Sequence, residues 1–327
     1  MFEVKKYEFL LCAETPIAHH AEVFGNHAVV ARRKIRQPNG TWAQVPIISG
    51  DSMRHGLREA AAYAFLDAAN MLDKGELTEA ALRLLFNGGM VTGRGDASNI
   101  KLDQYREMID LMPALAILGG CASNRVIPGR IQCEDAILVC QESKGLVPAW
   151  TLEEAGEVDT CRAHVEVAQR VRMDALLDPG KRKLLSDGAN ADAQRRLLTS
   201  EVAHDMDDAV LREDAKSSMM PRTYETVASG SLFSWRIVAT LTSELELDTF
   251  HTMVAAFLSN ARVGGKRGTG HGLITALKGR NIVVNRPAER TNTLDLAALA
   301  PKIGEMFRAH VRERADKIRP FLTQVDA

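Results

Sequence analysis

The wide spacing of the β-strand patterns is the feature that most constrains the fold of this chain. Residues 3–14 alternate along the chain like a strand that is largely buried. Residues 129–141 predict a second strand, and residues 222–241 predict a strand, a turn at 228–230 and a further strand. Long and irregular intervals separate these segments. This spacing favours an antiparallel sheet assembled from distant parts of the chain.

Apolar residues at helical spacing occupy much of the intervals. Met53 and Leu57 begin one such stripe, and Ser49 or Ser52 is expected to cap the first turn by accepting a free N–H. Together these patterns predict an α+β fold in a single domain, with a ferredoxin-like or RNA-recognition-motif-like antiparallel sheet and helices on one face. Further helices are predicted at 76–86, 102–118, 246–260 and 300–322.

Composition restricts the class of protein. The 327 residues include 41 Lys and Arg against 42 Asp and Glu, so the net charge is -1. This balance excludes a strongly acidic disordered chain, but it allows nucleic-acid binding through a local basic patch. The five cysteines form no C-x-x-C pair, so we expect reduced thiols, no metal and no cofactor. The apolar stretch at 111–122 is too short to cross a membrane, and we expect a cytoplasmic protein.

A glycine-rich loop, VGGKRGTGHG, occupies residues 263–272. Glycine lets backbone N–H groups approach an anion closely, and the cations of this loop add positive charge at the same place. The loop is not a P-loop, and it follows a helix and enters a strand, unlike a dinucleotide fingerprint. We expect phosphate contacts from the residues Gly264, Gly265, Lys266, Arg267, Gly268 and His271.

Two other segments concentrate positive charge. Residues 15–45 predict a long polar connection in which the sequence Pro-Asn-Gly at 38–40 closes a hairpin. Arg54 and Arg58 lie four residues apart near a predicted helix N-terminus, where cations oppose the helix dipole. A bound phosphate would satisfy both arginines and the free N–H groups of the helix. The 15–45 segment adds a basic run: Arg32, Arg33, Lys34 and Arg36.

Three histidines near the N-terminus supply groups for acid–base chemistry. His19, His20 and His27, with Glu22 among them, fit no spacing that is typical of a zinc site. A histidine ribonuclease would need a base, an acid and a cation around one phosphate. The sequence contains these parts but does not show whether they converge. Ordinary hydrogen bonds from loop histidines are the alternative interpretation.

Four segments, in chain order, resemble the RAMP superfamily of CRISPR-associated proteins, and within it the family of backbone subunits. In the first segment, Ser49 stands where the family pattern has proline, and Asp51 stands in place of its first serine. Individually the matches are short, but their order and separation make the set specific. The segments are IISGDSMRHGLREA (47–60), GRIQCEDA (129–136), RTYETVASGSLFSWRI (222–237) and VGGKRGTGHG (263–272).

The resemblance implies a non-catalytic subunit that binds CRISPR guide RNA and forms a helical filament of copies along it. It also implies contacts with other effector subunits, and with complementary target nucleic acid through the guide. By this resemblance, Ser52, Arg54 and Arg58 contact guide phosphates together with the glycine-rich loop. Met219 and Met220 are candidates to pack against a displaced base, with core packing as the alternative.

The resemblance further implies a palm at about 1–60, 123–158 and 222–300. Helices at about 61–122 form an insertion, a thumb occupies about 160–221, and a C-terminal helix occupies about 300–322. Residues 160–218 are rich in charge and poor in large apolar side chains, which is typical of a protruding, partly helical insertion.

One departure from the family bears on catalysis. RNA-cleaving relatives carry an aspartate in the first long loop, where this chain has Asn26 followed by His27. Asparagine is a poor substitute for a carboxylate ligand or base, so we expect no cleavage of target RNA. The pattern is most similar to backbone subunits of type IV complexes. The alternatives are a RAMP endoribonuclease that uses the histidines, a type III-like nuclease, and a phosphate-ligand enzyme that uses the loop at 264–272.

Overall fold

A computed structural model describes residues 3–89, 102–122, 125–173, 184, 186, 188–189, 219–285, 288–294 and 303–324. The strands are β1 (Glu3–Ala13), β2 (His20–Phe24), β3 (His27–Val30), β4 (Arg32–Arg36), β5 (Trp42–Ile48), β6 (Gly120–Ala122), β7 (Arg125–Ile127), β8 (Ile131–Cys133), β9 (Ala136–Leu138), β10 (Val165–Met173), β11 (Met219–Val227), β12 (Leu232–Leu241), β13 (Ile274–Asn285) and β14 (Ala288–Leu294). The helices are α1 (Gly50–Ala68), α2 (Glu79–Asn87), α3 (Leu102–Leu111), α4 (Pro113–Leu118), α5 (Ala149–Ala155), α6 (Glu244–Ser259), α7 (Glu305–Glu313) and α8 (Ala315–Gln324). Among the described residues, no helix has the length and apolar character needed to cross a bilayer.

An antiparallel sheet organises the larger of two compact units, which comprises residues 1–21, 30–166 and 226–327. Within the described part of the chain, this sheet has the strand order β14-β13-β1-β12-β9-β5-β4, and β8 also pairs with β12. Strand β1 is central, because it pairs with β12 on one side and with β13 on the other. The fold is therefore α+β with an antiparallel sheet, as the sequence predicts.

The main core lies between this sheet and two helices. Alternation along β1 turns Tyr7, Phe9 and Leu11 toward α1 and α6, where all three side chains are fully buried. Trp235 of β12 packs beside Phe9, with ring centroids 5.3 Å apart. The opposite sheet face is partly covered by α5, whose Trp150 packs against Leu10 of β1. Helices thus lie on both faces of the sheet, which corrects the prediction of a single helical face.

A second hydrophobic cluster joins the helical insertion to the C-terminal helices. The C-terminal half of α1 contributes Phe65 and Leu66, and α7 contributes Phe307 and Val311. Helices α2, α3, α4 and α8 complete this cluster. The segment at 61–122 and the C-terminus therefore share one core.

The smaller unit comprises residues 22–29 and 167–225, a range that includes most of the expected thumb. Its sheet has the order β10-β11-β3-β2, and β3 runs parallel to β11. The hydroxyl of Thr223 is hydrogen-bonded to His27 Nδ1 at 2.8 Å, which ties these two strands together. Most of the predicted thumb at 160–221 lies outside the described residues.

Several element boundaries differ from those expected. The predicted strand at 129–141 is two short strands, β8 and β9, interrupted at Glu134 and Asp135. The predicted helix at 102–118 breaks before Pro113, because proline lacks the N–H that a continuous helix needs. The predicted helix at 300–322 is divided into α7 and α8. The connection at 15–45 is mostly β-structure rather than a polar loop.

Candidate nucleic-acid interface

The N-terminus of α1 is the point at which the candidate segments converge, and its N–H groups are hydrogen-bonded within the protein. Ser49 is the N-cap, and its hydroxyl accepts from the backbone N–H of Ser52 at 3.3 Å. The N–H of Ser49 donates to His19 Nε2 at 3.1 Å, and the N–H of Gly50 donates to Asp135 Oδ1 at 2.9 Å. A carboxylate therefore occupies the place at which the sequence suggested a bound phosphate.

The contacts of His19 define its protonation state. Because Nε2 accepts a backbone N–H, this nitrogen is unprotonated in the folded chain. Burial lowers the pKa of His19, the nearby His20 lowers it further, and Asp135 acts in the opposite direction. On the other side of Asp135, Arg33 of β4 forms an ion pair with Oδ2 at 3.6 Å. His19 is therefore a neutral structural acceptor here, with Nε2 occupied.

Arg54 and Arg58 bind backbone carbonyls at the C-terminal end of α4. Arg54 donates to the carbonyl of Leu118, and Arg58 donates to the carbonyl of Gly119 at 3.0 Å. Cations are favourable at this end of a helix, which explains two arginines that oppose the dipole of their own helix. Burial, and secondarily Arg54, lowers the pKa of Arg58 to about 10. The phosphate role of these arginines stays a prediction, and the structure gives them a role in packing.

The glycine-rich loop folds against the segment that precedes β2. The N–H of Gly265 donates to the carbonyl of Ala18 at 2.8 Å, and the N–H of Gly272 donates to that of Pro16 at 3.0 Å. A Cβ on Gly264 would lie 2.8 Å from the Ala18 carbonyl oxygen, and Gly264 also has a φ of +72°. Only glycine suits this position. The loop is thus held at a fixed place beside His19.

The cations of this loop lie near the same helix. Arg267 forms an ion pair with Glu59 of α1, with Nη1 and Oε2 3.3 Å apart. Lys266 adopts a left-handed backbone conformation, with φ of 59°. Gly268 is exposed, and His271 is half-buried. The structure therefore brings the loop, the start of α1 and the break between β8 and β9 into one region of the larger unit.

Other predicted site residues lie elsewhere. Met219 and Met220 begin β11, and their side chains lie outside the described residues. His27 is hydrogen-bonded to Thr223 in the smaller unit. Asn26, at the position of the family's aspartate, accepts the N–H of Thr223 through its backbone carbonyl.

Among its described residues, this region has little that suits nucleophilic catalysis or metal binding. Burial raises the pKa of the Cys133 thiol to about 12, so this cysteine remains protonated and is a poor nucleophile. In the ranges that the structure describes, no group of three or more His, Cys, Asp and Glu side chains is arranged to hold a metal ion.

Sequence reasoning missed two residues, Asp135 in this region and Trp42 beside the basic run. Asp135 lies in the segment at 129–136 that resembles a family strand. Nothing in the sequence around it indicates that its carboxylate accepts an N–H from the start of a helix 85 positions away. Trp42 lies opposite Arg36 in the β4–β5 pair and its side chain is 65% exposed. The position of Trp42 could be found from the predicted turn at 38–40, because a hairpin closed there places Trp42 beside the basic run.

Comparisons with known proteins identify a similar fold. No protein-family model matches the chain, and no curated protein sequence matches it. Among solved structures, it is similar to a chain of a structure described as "Type IV-B CRISPR Complex", with a TM-score of 0.51 and 15% sequence identity. The likeness covers 92% of this chain and 99% of that chain. At this identity the two chains share a fold over nearly their whole lengths.

Proposed function

We propose that this protein is a subunit of a CRISPR ribonucleoprotein of type IV, which binds guide RNA and oligomerises along it without cleaving RNA. The observation that carries the proposal is the fold likeness to a chain of a Type IV-B CRISPR complex over 92% of this chain. The short sequence segments add independent support, because their resemblance to backbone subunits rests on sequence alone. Two of them meet at the N-terminus of α1, and a third, the glycine-rich loop, contacts the same helix through Arg267 and Glu59.

Charge distribution is compatible with this function. The chain has a net charge of -1, so RNA binding must depend on local rather than overall charge. The outward-facing cations of β4 and of the glycine-rich loop supply such local charge. A protein that binds guide RNA contacts the sugar–phosphate backbone, because the guide sequence varies and the target is recognised by base pairing. Further copies of the chain, other effector subunits and the paired target are the remaining partners that we propose.

The proposed lack of catalysis is supported by the chemistry of the histidines. The Nε2 atom of His19 is occupied by a backbone N–H, and His27 is hydrogen-bonded to Thr223. Asn26 replaces the carboxylate of RNA-cleaving relatives. A RAMP endoribonuclease is the alternative. It requires metal-independent cleavage of a guide precursor by the purified protein and loss of that cleavage in His19→Ala, His20→Ala or His27→Ala.

Purification of the untreated and nuclease-treated protein tests the proposal. We expect a high ratio of absorbance at 260 and 280 nm and a large particle on size-exclusion chromatography, both lost after nuclease treatment. Sequencing of the co-purified RNA should recover CRISPR repeats. A clean monomer that ignores added RNA at low salt would contradict the proposal and favour a small phosphate ligand at 264–272.

A further inference from the structure

The β4–β5 hairpin has one face in the core and one face outside. Residues directly opposite each other in an antiparallel pair project to the same face. Ile35 lies opposite Ala43, and on this face Ile35 is 7% exposed within the main core. Alternation then places Arg36 and Trp42 together on the other face, and the pair Lys34 and Gln44 beside them. We call these four exposed residues the outer strip: Lys34, Arg36, Trp42 and Gln44.

The cations of the outer strip differ from the other basic candidates. Arg33 is paired with Asp135, Arg267 is paired with Glu59, and Arg58 donates to the carbonyl of Gly119. Within the described ranges, the side chains of Lys34 and Arg36 have no ion pair or hydrogen bond. Their charges are therefore available to a ligand at no cost in broken protein contacts.

Trp42 is unusual among the tryptophans of this protein. The chain has three tryptophans, of which Trp150 and Trp235 are 6% and 0% exposed, whereas Trp42 is 65% exposed. A tryptophan on a solvated sheet face leaves a large apolar ring in water. Trp42 begins β5, and its side chain projects from the outer face of the hairpin beside Arg36 of the edge strand β4. The ring is thus open to a ligand on that face.

An exposed ring beside unpaired cations matches single-stranded nucleic acid. Proteins bind such strands by stacking unpaired bases on aromatic rings while Lys and Arg hold the backbone. Lys34 and Arg36 are two positions apart, so their Cα atoms are separated by about 7 Å along the strand. An extended nucleotide step has a similar length, so the two cations can reach neighbouring phosphates. An acidic peptide would use the charges, but it has no need of the exposed ring.

We infer that the outer strip binds an unpaired segment of nucleic acid, with one base stacked on Trp42 and the adjacent phosphates held by Lys34 and Arg36. This inference rests on the proposed function, because it adds a base-stacking position to an RNA-binding subunit. Stacking requires an unpaired base, so the strip selects single strands over duplex.

Binding of a short fluorescein-labelled oligouridylate to the nuclease-treated full chain tests this inference. We expect Trp42→Ala to weaken binding about tenfold and Trp42→Phe to retain most of it, since a phenyl ring still stacks. Tyr63→Ala, which removes another exposed aromatic ring, should leave binding unchanged. Because Trp42 is the exposed tryptophan, the oligonucleotide should also quench part of the intrinsic fluorescence in the wild type, and that quenching should vanish in Trp42→Phe.

A matched set of charge variants and a duplex probe complete the test. Lys34→Ala and Arg36→Ala should each reduce the salt dependence of binding, whereas Arg106→Ala on the exposed face of α3 should not. The effect of Trp42→Ala should disappear when the probe is annealed to its complement. Unchanged affinity of Trp42→Ala for the single strand, or an equal loss with duplex, overturns the stacking inference alone. A wild-type protein that binds neither probe overturns the proposed function as well.

Discussion

At the scale of single residues, charged groups around α1 are hydrogen-bonded to other parts of the same chain. Asp135 accepts an N–H at the start of α1, and Arg54 and Arg58 donate to carbonyls at the end of α4. Charged residues placed against local preference therefore point to a partner, but the partner can be another part of the same fold.

Arg58 makes a testable contribution to stability. Replacing it with alanine leaves the carbonyl of Gly119 without this donor in a half-buried site. We expect Arg58→Ala to lower the free energy of unfolding by about 1–3 kcal/mol, the range for a hydrogen bond to a charged group. Urea denaturation measures this change. Arg106→Ala, with an exposed side chain, is the control and should change stability by less than about 0.5 kcal/mol. Equal stability of the two variants would contradict the packing role.

His19 should make stability depend on pH. The pKa of His19 is lower in the folded chain than in the unfolded chain, where it is near 6.5. The contribution of His19 to stability is therefore complete above pH 6.5, and it is lost as the pH falls from 6.5 toward the folded pKa. We expect the wild type to lose more stability than His19→Gln between pH 7.5 and pH 5, since glutamine can accept the same N–H without titrating. Chemical denaturation of both proteins at each pH gives the difference. His251 also has a lowered pKa, but it is present in both proteins and cancels.

At the scale of elements, the start of α1 packs so closely on the sheet that one position accepts no side chain. A Cβ on Gly50 would lie 2.3 Å from the backbone oxygen of Cys133, and this oxygen belongs to strand β8. The helix and the break between β8 and β9 are therefore held in contact. The candidate interface depends on this contact, because Asp135 follows Cys133 by two residues.

Gly50→Ala tests this close approach. Backbone cannot move aside as a flexible side chain does, so we expect a loss of about 2 kcal/mol in the free energy of unfolding. Gly145→Ala is the matched control, because a Cβ there meets nothing within 4 Å. The control should lie within about 0.5 kcal/mol of the wild type. Similar melting temperatures for the two variants would show that α1 can shift without cost.

The elements that the sequence predicted correctly are those with a strong local pattern. Strand β1 was predicted at 3–14 because its buried residues alternate, and α1 because its apolar stripe follows a serine cap. The division of 129–141 was not predictable, since Glu134 forms an ion pair with Arg236 from a distant strand and Asp135 accepts the N–H of Gly50 at the start of α1. Strands β2 and β3 pair with each other, but β3 also pairs with β11, which comes from a distant part of the chain.

The candidate site was predictable in its segments but not in its contacts. Resemblance to a family selected the start of α1, the segment at 129–136 and the glycine-rich loop, and these meet in the structure. It did not reveal that Arg54 and Arg58 bind carbonyls, which depends on where α4 ends. The position of Trp42 follows from the register of the predicted hairpin, which places it opposite Arg36.

At the scale of the whole molecule, the proposed binding to a polyanion must be compatible with a net charge of -1. If Lys34, Arg36, Lys266 and Arg267 each contact one phosphate, log affinity for single-stranded RNA should fall against log salt with a slope of about -3. Fluorescence anisotropy across a salt series measures this slope. Changing the base sequence of the probe should alter affinity little, because phosphate carries no sequence information. A slope near zero would exclude an electrostatic interface.

The central position of β1 has a consequence for the synthesis of this protein. The first strand to leave the ribosome pairs with β12 and β13, which are among the last strands to be made. Cys12 is opposite Leu232 and Thr275, so most of the chain must be translated before either neighbour of β1 exists. Such long-range pairing folds slowly and exposes apolar surface meanwhile. The main sheet is therefore completed only late in synthesis, after β12 and β13 have been made.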